Sequence, residues 1–301
     1  MSYLKNSYSV CVLELPTEFK LPLYELHQKM LQSNFKELSP SQEFGHGWVT
    51  IEDMFKVDFI AENITVGDCI FGGYRFDRKT VPQSLIKKLF REKLREKKAL
   101  GEKLNKEERK NLKEECRDQL IMRALPKPSM ITWIWDLDNA KVYLDTKSTK
   151  LIDSFVALFN SSFGVDLSTD KIIDESLDSF LEWLWKNFEN RQDITVNDDI
   201  ILDTGDKTLF KFNGPSLENY LSEIESIKHS KIFKKLNTAI VIEAETYSVG
   251  FNSKNTIYTV KLEKKIKHES AATAILDNLD RIRVIQDKIK SLIDEHLAQG
   301  K

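Results

Sequence analysis

Lys106, Lys110, Lys113 and Arg117 recur every three or four residues, a spacing that on a helix gathers four cations within about 60° of arc. Such a row can neutralise successive phosphates of a nucleic-acid backbone, a contact that gives affinity without reading sequence. A second row precedes it: Lys87, Lys88, Arg91, Arg95 and Lys98. Both lie within residues 75–127, where 18 Lys or Arg face 9 Asp or Glu, so the segment carries +9 in a chain of net charge -2 and the remainder sums to -11. One basic segment on an acidic body can grip a polyanion while the rest limits indiscriminate contact. Arg123 and Lys127, just beyond the rows, are further candidates for DNA or for a second subunit.

Other residue sets could do different chemistry. Asp136 with Asp138, or Glu243 with Glu245, could place Mg²⁺ for phosphodiester hydrolysis, but alternating acids beside strands are usually a solvent face, and no Lys follows Glu245 at the spacing many nucleases use. His27, His46, His229, His268 and His296 are isolated, and neither an HExxH nor a paired-cysteine motif occurs, so no metal or other cofactor is expected. Gly72-Gly73 lacks the ending of a phosphate-binding loop, no GxGxxG opens a helix, and no Ser/His/Asp set stands out. Gly45-His46-Gly47-Trp48 reads as a tight turn leading into a strand. Trp133 and Trp135, sharing one face of a strand, and Trp183 and Trp185, on an apolar helix, could stack bases but fit a core better. Cys11, Cys69 and Cys116 cannot all pair with one another, so reduced thiols are the default. No catalytic residue is assigned.

The cations need elements to hold them. Gln83 to Lys98 is free of Gly and Pro, and Leu85, Ile86, Leu89, Phe90 and Leu94 fall on one half of a helix with the basic row opposite. Pro82 suits the first turn. After a break around Ala99–Leu104 containing Gly101, Asn105 and Glu108 form a plausible capping pair for a second helix to about Arg123, packed through Leu112, Cys116 and Leu120 and ended by Pro126 and Pro128.

Strands are expected at Tyr8–Leu15, Phe44–Ile51, Phe55–Ala61 and Val66–Asp77 before this pair, and at Ile131–Asp136 and Lys141–Asp145 after it, with helices at Leu23–Leu31 and Lys147–Phe163. Further on, Asp174–Phe188 and Ser216–Ile227 read as helices, and Ile200–Leu202, Thr208–Phe212, Thr238–Glu243, Tyr247–Phe251 and Thr256–Lys261 as strands. A long helix at about Ser270–Leu297 repeats Ile275, Leu279, Ile282, Ile285, Ile289 and Leu292, as packing along the chain's own core or along a partner requires.

The expected fold is α+β: a discontinuous mixed domain (1–78 and 129–167), a projecting basic helical hairpin (79–128) and a C-terminal α+β domain (168–301) ending in the long helix. With 41% hydrophobic and 31% charged residues, no apolar run of membrane-spanning length and no signal-peptide core at Met1–Tyr8, a soluble cytoplasmic protein is expected.

The hairpin and its flanks resemble the RdgC family of recombination-associated proteins. Gly47-Trp48-Val49 comes early; Lys79-Thr80-Val81-Pro82-Gln83-Ser84-Leu85-Ile86 is similar to the family's K-I-L-P-x-x-V-I. Lys106-Glu107-Glu108-Arg109-Lys110-Asn111-Leu112-Lys113-Glu114-Glu115 is like its K-x-E-K-x-x-L-K-D-E, and Leu120-Ile121-Met122-Arg123-Ala124-Leu125 stands at its L-L-P-R-A-F. The resemblance runs clearly from Phe44 to Leu167 and more weakly to Leu297. It implies a non-enzymatic, nucleoid-associated protein that encircles duplex DNA as a ring-shaped homodimer, lines the hole with basic residues and restrains RecA-type recombinases by competing for DNA. The sequence departs from the pattern at Leu125, where the family has an aromatic residue, at Met122, at the additional Pro126 and Pro128, and at Lys211-Phe212-Asn213-Gly214-Pro215-Ser216, which replaces K-K-Q-D-L-T. Those places belong to the ring-closing parts of relatives, so Leu125, Lys211 and Asn213 are the implied dimer contacts. Two other readings are a metal-dependent nuclease and a structural protein docking its basic hairpin on an acidic partner.

Overall fold

At residues 10–13, 133–135 and 142–144 of the central strands apolar residues follow one another without interruption, and successive side chains go to opposite faces, the pattern of a sheet covered on both sides. Cys11 and Leu13, Trp133 and Trp135, and Val142 and Leu144 enter one core cluster, whereas Val10 and Val12, Ile134 and Tyr143 enter the other. The computed structural model describes residues 7–16, 21–169, 177–187, 191–203, 209–213, 232–242, 245–252, 257–262 and 271–299.

The chain is α+β. Its strands are β1 (Ser7–Glu14), β2 (Phe44–Val49), β3 (Thr65–Val66), β4 (Cys69–Arg78), β5 (Lys127–Asp136), β6 (Lys141–Leu144), β7 (Ser168–Thr169), β8 (Ile194–Asp203), β9 (Leu209–Asn213), β10 (Ile232–Ile242), β11 (Glu245–Asn252) and β12 (Ile257–Leu262). They form one antiparallel sheet in the order β2-β4-β5-β6-β1-β12-β11-β10-β8-β9, with β3 added to β4 and β7 to β1. The β1–β12 ladder, Ser7 opposite Lys261 to Cys11 opposite Ile257, joins the N- and C-terminal halves.

Helices α1 (Leu23–Gln32) and α5 (Thr149–Phe163) supply Leu26, Met30, Ile152, Phe155, Phe159 and Phe163 to the first cluster, around Trp48. Helices α6 (Leu177–Asn187) and α7 (Ala271–Gln299) cover the other face with Phe180, Trp183, Trp185, Ile275, Leu279, Ile282, Ile285, Ile289 and Leu292. The repeat on α7 therefore packs within the chain, and Trp133, Trp135, Trp183 and Trp185 are core residues. Gly72 opposite Trp133 leaves the room that this indole fills, since a Cβ there would lie 2.8 Å from its ring.

The sheet also corrects several expectations. Phe55–Ala61 is not a strand, because side chains take its backbone donors: Phe55 N–H donates to Asp53 Oδ1 (2.9 Å) and Ile60 N–H to Asn63 Oδ1 (3.0 Å). The loop runs into a short helix, α2 (Ala61–Ile64). The strand read as Val66–Asp77 is broken by Gly67, at φ +55°, so that β3 and β4 form a hairpin. Gly45–Trp48 is strand rather than turn. A Cβ on Gly47 would meet Phe35 backbone at 2.4 Å, a close approach that lets Ser33 and Phe35 hydrogen-bond with Trp48. β5 starts at Lys127, before Pro128; β6 joins only from Trp133, so the missing N–H faces the side of β5 that has no neighbouring strand there among the described residues. The predicted helix Ser216–Ile227 lies outside the described residues.

Candidate nucleic-acid interface

The two basic rows lie on consecutive helices, α3 (Gln83–Ala99) and α4 (Lys106–Arg123). The pair fills the gap between neighbouring strands, because Arg78 at the end of β4 lies opposite Lys127 at the start of β5. Gly101, at φ +82°, turns the chain between the helices. Asn105 then caps α4 as its sequence predicts: its side chain accepts from Glu107 and Glu108 N–H (2.9 Å each), and Glu108 Oε2 accepts from Asn105 N–H (2.7 Å).

α3 packs chiefly on α4. Leu112 and Cys116 are buried, and Lys93 is close enough to the Cys116 thiol to act on it electrostatically. Ile86 and Ile121 are buried too, whereas Leu85, expected on the packed face, is nearly half exposed. With Ile86 and Lys93 of α3 and Leu112 and Cys116 of α4 facing the partner helix, an advance of about 100° per residue turns Lys87, Arg91 and Lys98 to the same side of the antiparallel pair as Lys106, Lys110, Lys113 and Arg117.

Lys87, Lys88, Arg91, Arg95, Lys98, Lys106, Lys110, Lys113, Arg123 and Lys127 are all exposed. Among the described residues the ion pairs of the hairpin involve only Lys97, with Glu102 (2.7 Å), and Arg117. Lys87, Lys88, Arg91 and Arg95, with Ser84 and Glu92, line an open cleft of about 390 Å³. A surface of exposed, unpaired cations can take phosphate oxygens without first breaking internal pairs. Arg117 is different: its Nη2 meets Glu43 Oε2 and its Nη1 lies 3.6 Å from Asp118. The hydrogen bond from Arg117 to Glu43, above all, raises the guanidinium's affinity for its proton.

The segment before β2 is fixed against this root. Lys79 is buried, and its Nζ donates to the carbonyls of Ser39 (2.9 Å) and Pro40 (2.8 Å), while its N–H donates to Glu43 O (2.8 Å). Arg75, also buried, holds Asp77 through two bonds of 2.8 and 2.7 Å, reaches Glu37 at 3.2 Å and lies 3.8 Å from the Phe35 ring centroid. Leu125 is 88% exposed just past α4. Lys211 is exposed on β9, and Asn213 ends that strand, with its side chain outside the described residues.

A family model described as "Putative exonuclease, RdgC" matches residues 4–298. The chain belongs to the RdgC family. The "Recombination-associated protein RdgC" of Proteus mirabilis (strain HI4320) is 30% identical over 167 residues, 54% of this chain and 53% of that protein. The protein of the same description from Tolumonas auensis (strain DSM 9187 / NBRC 110442 / TA 4) is 31% identical over 141 residues, 46% of this chain and 45% of that protein. The matched stretch thus spans about half the length of these RdgC relatives.

Of the carboxylates that could serve the nuclease reading, Asp136 is engaged within the fold. Asp136 is fully buried: Arg283 Nε donates to its Oδ2 (2.8 Å), as does Asn139 Nδ2 (2.8 Å). Burial opposes its ionisation, but these bonds outweigh burial and leave its pKa below the ordinary value. Asp138 is exposed on the turn, and Glu243 lies outside the described residues. Among the described residues no group of three or more His, Cys, Asp or Glu converges as a metal site, and no helix is long and apolar enough to cross a membrane. Burial pushes the Cys69 thiol up to about 11 and raises Cys116 as well, as packed thiols require. One cluster had no sequence signal. Tyr74 OH lies 2.6 Å from both His46 Nδ1 and Ser154 Oγ, which are 3.1 Å apart. Burial pushes the Tyr74 hydroxyl up to about 12 and lowers the His46 pKa. The three residues come from two strands and a helix, so only the folded register assembles them.

Proposed function

We propose that this RdgC-family protein binds double-stranded DNA without sequence preference through the α3–α4 hairpin, closes around the duplex as a homodimer, and limits the access of RecA-type recombinases to the DNA it covers. The observation that carries the reading is the set of ten exposed cations, Lys87 through Lys127, none in an ion pair among the described residues. The body supplies the contrast, since its Arg and Asp pairs are internal. A ring with cations inward and an acidic exterior gains phosphate affinity and stays in solution. Leu85 in the first turn of α3, Met122 in the last turn of α4 and Leu125 are exposed at one end of the antiparallel pair. That apolar end is where the dimer contact is proposed, with Lys211 and Asn213 on β9 as the second. Association with the nucleoid follows from the same reading.

The test uses a linear duplex, the same duplex with both ends blocked, a salt series and mass in solution. Neutralising six to eight phosphates per dimer gives a slope of log affinity against log salt of about -5 to -7. A dimer that slides from free ends but stays on blocked DNA supports encirclement. A monomer, or no retention near physiological salt, removes it and favours docking on an acidic protein. The description of the matched family favours a second reading, exonuclease action. It requires carboxylates free to hold a metal, whereas Asp136 is engaged by Arg283 and Asn139. Loss of duplex in Mg²⁺ that persists in purified protein and disappears in Glu243→Ala would establish it.

A further inference from the structure

Arg117 completes the basic row of α4, yet among the described residues it alone of that row is paired outside its own helix, to Glu43 in the segment preceding β2. We infer that Glu43 is an internal competitor for the phosphate backbone, a carboxylate held where a phosphate would otherwise sit on the proximal end of the α4 row. The inference rests on the reading of this hairpin as a DNA grip.

Three observations carry it. First, the position of Glu43 does not depend on Arg117. Its carbonyl accepts from the Lys79 N–H at 2.8 Å, and the loop before it is pinned by Lys79 Nζ to the carbonyls of Ser39 and Pro40, with Arg75 holding Glu37. The backbone that carries this carboxylate is therefore held beside the helix by anchors of its own, and Arg117 reaches to the side chain. Second, the pair is open to exchange: both side chains are 42% exposed, so an incoming phosphate can approach the guanidinium without local unfolding. Third, carboxylate and phosphate oxygens make the same charge-assisted contact with a guanidinium, so one substitutes for the other. Lys106, Lys110 and Lys113 have no such partner among the described residues. The row is thus graded, with three free cations toward the tip and one occupied cation at the root.

Glu43 therefore lowers affinity by one phosphate contact and holds DNA toward the outer part of the row. Duplex binding by wild type, Glu43→Gln, Glu43→Ala, Arg117→Gln and the Glu43→Gln/Arg117→Gln double variant, each over a salt series, tests it. The expected result is that both Glu43 variants bind several-fold more tightly at low salt, with a slope steeper by about 0.9 for one added phosphate. The gain should vanish in the Arg117→Gln background. Thermal midpoints control for folding; the anchors through Lys79 and Arg75 should leave both variants folded. An unchanged slope, a gain that survives without Arg117, or weaker binding by a folded Glu43 variant would overturn the inference, the last by making Glu43 a brace that orients the hairpin. If wild type itself retains no duplex, the DNA grip fails first and the inference with it, whereas an intact wild-type grip with unaltered Glu43 variants fails the inference alone.

Discussion

The sheet and the hairpin use charge in opposite ways. In the sheet body Arg75, Lys79 and Asp77 are buried, and each is engaged by groups fixed in the fold. At the β5–β6 turn Arg283 fills the same role for Asp136, across 147 positions of sequence. On the hairpin the cations stand in solvent beside acids on the same helices, and few pair. A buried charge must be matched because desolvation is costly, and a cation meant for an external anion must be left unmatched. Net charge does not distinguish the two uses; the pairing does.

The sharpest way to break the contrast is to remove a cation from each region and compare. Arg75→Ala strips both guanidinium bonds from the fully buried Asp77, and leaving such a carboxylate without its partner should cost about 3–5 kcal/mol in chemical denaturation. A loss under about 1 kcal/mol would mean that the body tolerates an unmatched charge as the hairpin does. Lys110→Glu with Lys113→Glu should do the reverse. Unfolding should move within about 0.5 kcal/mol, as for exposed sites, while duplex affinity near physiological salt falls about 100-fold for all sequences alike and the salt slope shrinks by about 2. Unchanged affinity would exclude α4 from the interface.

Most of the hairpin was legible in the sequence because its determinants are local. The three-to-four spacing of cations, the Asn105–Glu108 cap and the apolar Leu112 and Cys116 all lie within a few turns of one another. Alternation likewise placed Trp133 and Trp135 on one sheet face. Glu43 as partner of Arg117, Arg283 as partner of Asp136, and Tyr74 and Ser154 as partners of His46 were not legible, because each lies many residues away and is chosen by sheet register and loop path rather than by periodicity. The false strand at Phe55–Ala61 has a local cause instead. Its residue types suit a strand, but Asp53 and Asn63 offer nearer acceptors for its backbone.

A smaller effect should separate matched from unmatched charge by pH. Asp193 accepts from Arg191 at 2.9 and 3.0 Å and from Lys288 at 2.5 Å, and the Arg191 bond above all holds its carboxyl well below the usual carboxylate range. A depressed carboxyl adds stability that is complete above the unfolded value, about 3.9, and is lost as pH falls through the folded value. The site is partly solvated, so the contribution should be about 1 kcal/mol. Wild type should exceed Asp193→Asn by that amount at pH 6, with the gap narrowing below about pH 4. A gap constant with pH would assign the effect to shape rather than charge.

The smallest change in monomer stability should come from Leu125, and it bears on what the hairpin's apolar end is for. An 88% exposed leucine contributes little to its own chain, so Leu125→Ser should alter the unfolding free energy of dilute monomer by less than about 0.5 kcal/mol. If the end formed by Leu85, Met122 and Leu125 meets a second subunit, the same substitution should weaken self-association measured by sedimentation and speed loss from end-blocked duplex. The salt slope per bound subunit should stay the same, because no phosphate contact has been touched. Equal association in both proteins would free this end from dimerisation and leave the cations alone to account for binding. Lost association with an unchanged slope would divide the hairpin into an apolar end that closes the assembly and a charged side that holds DNA.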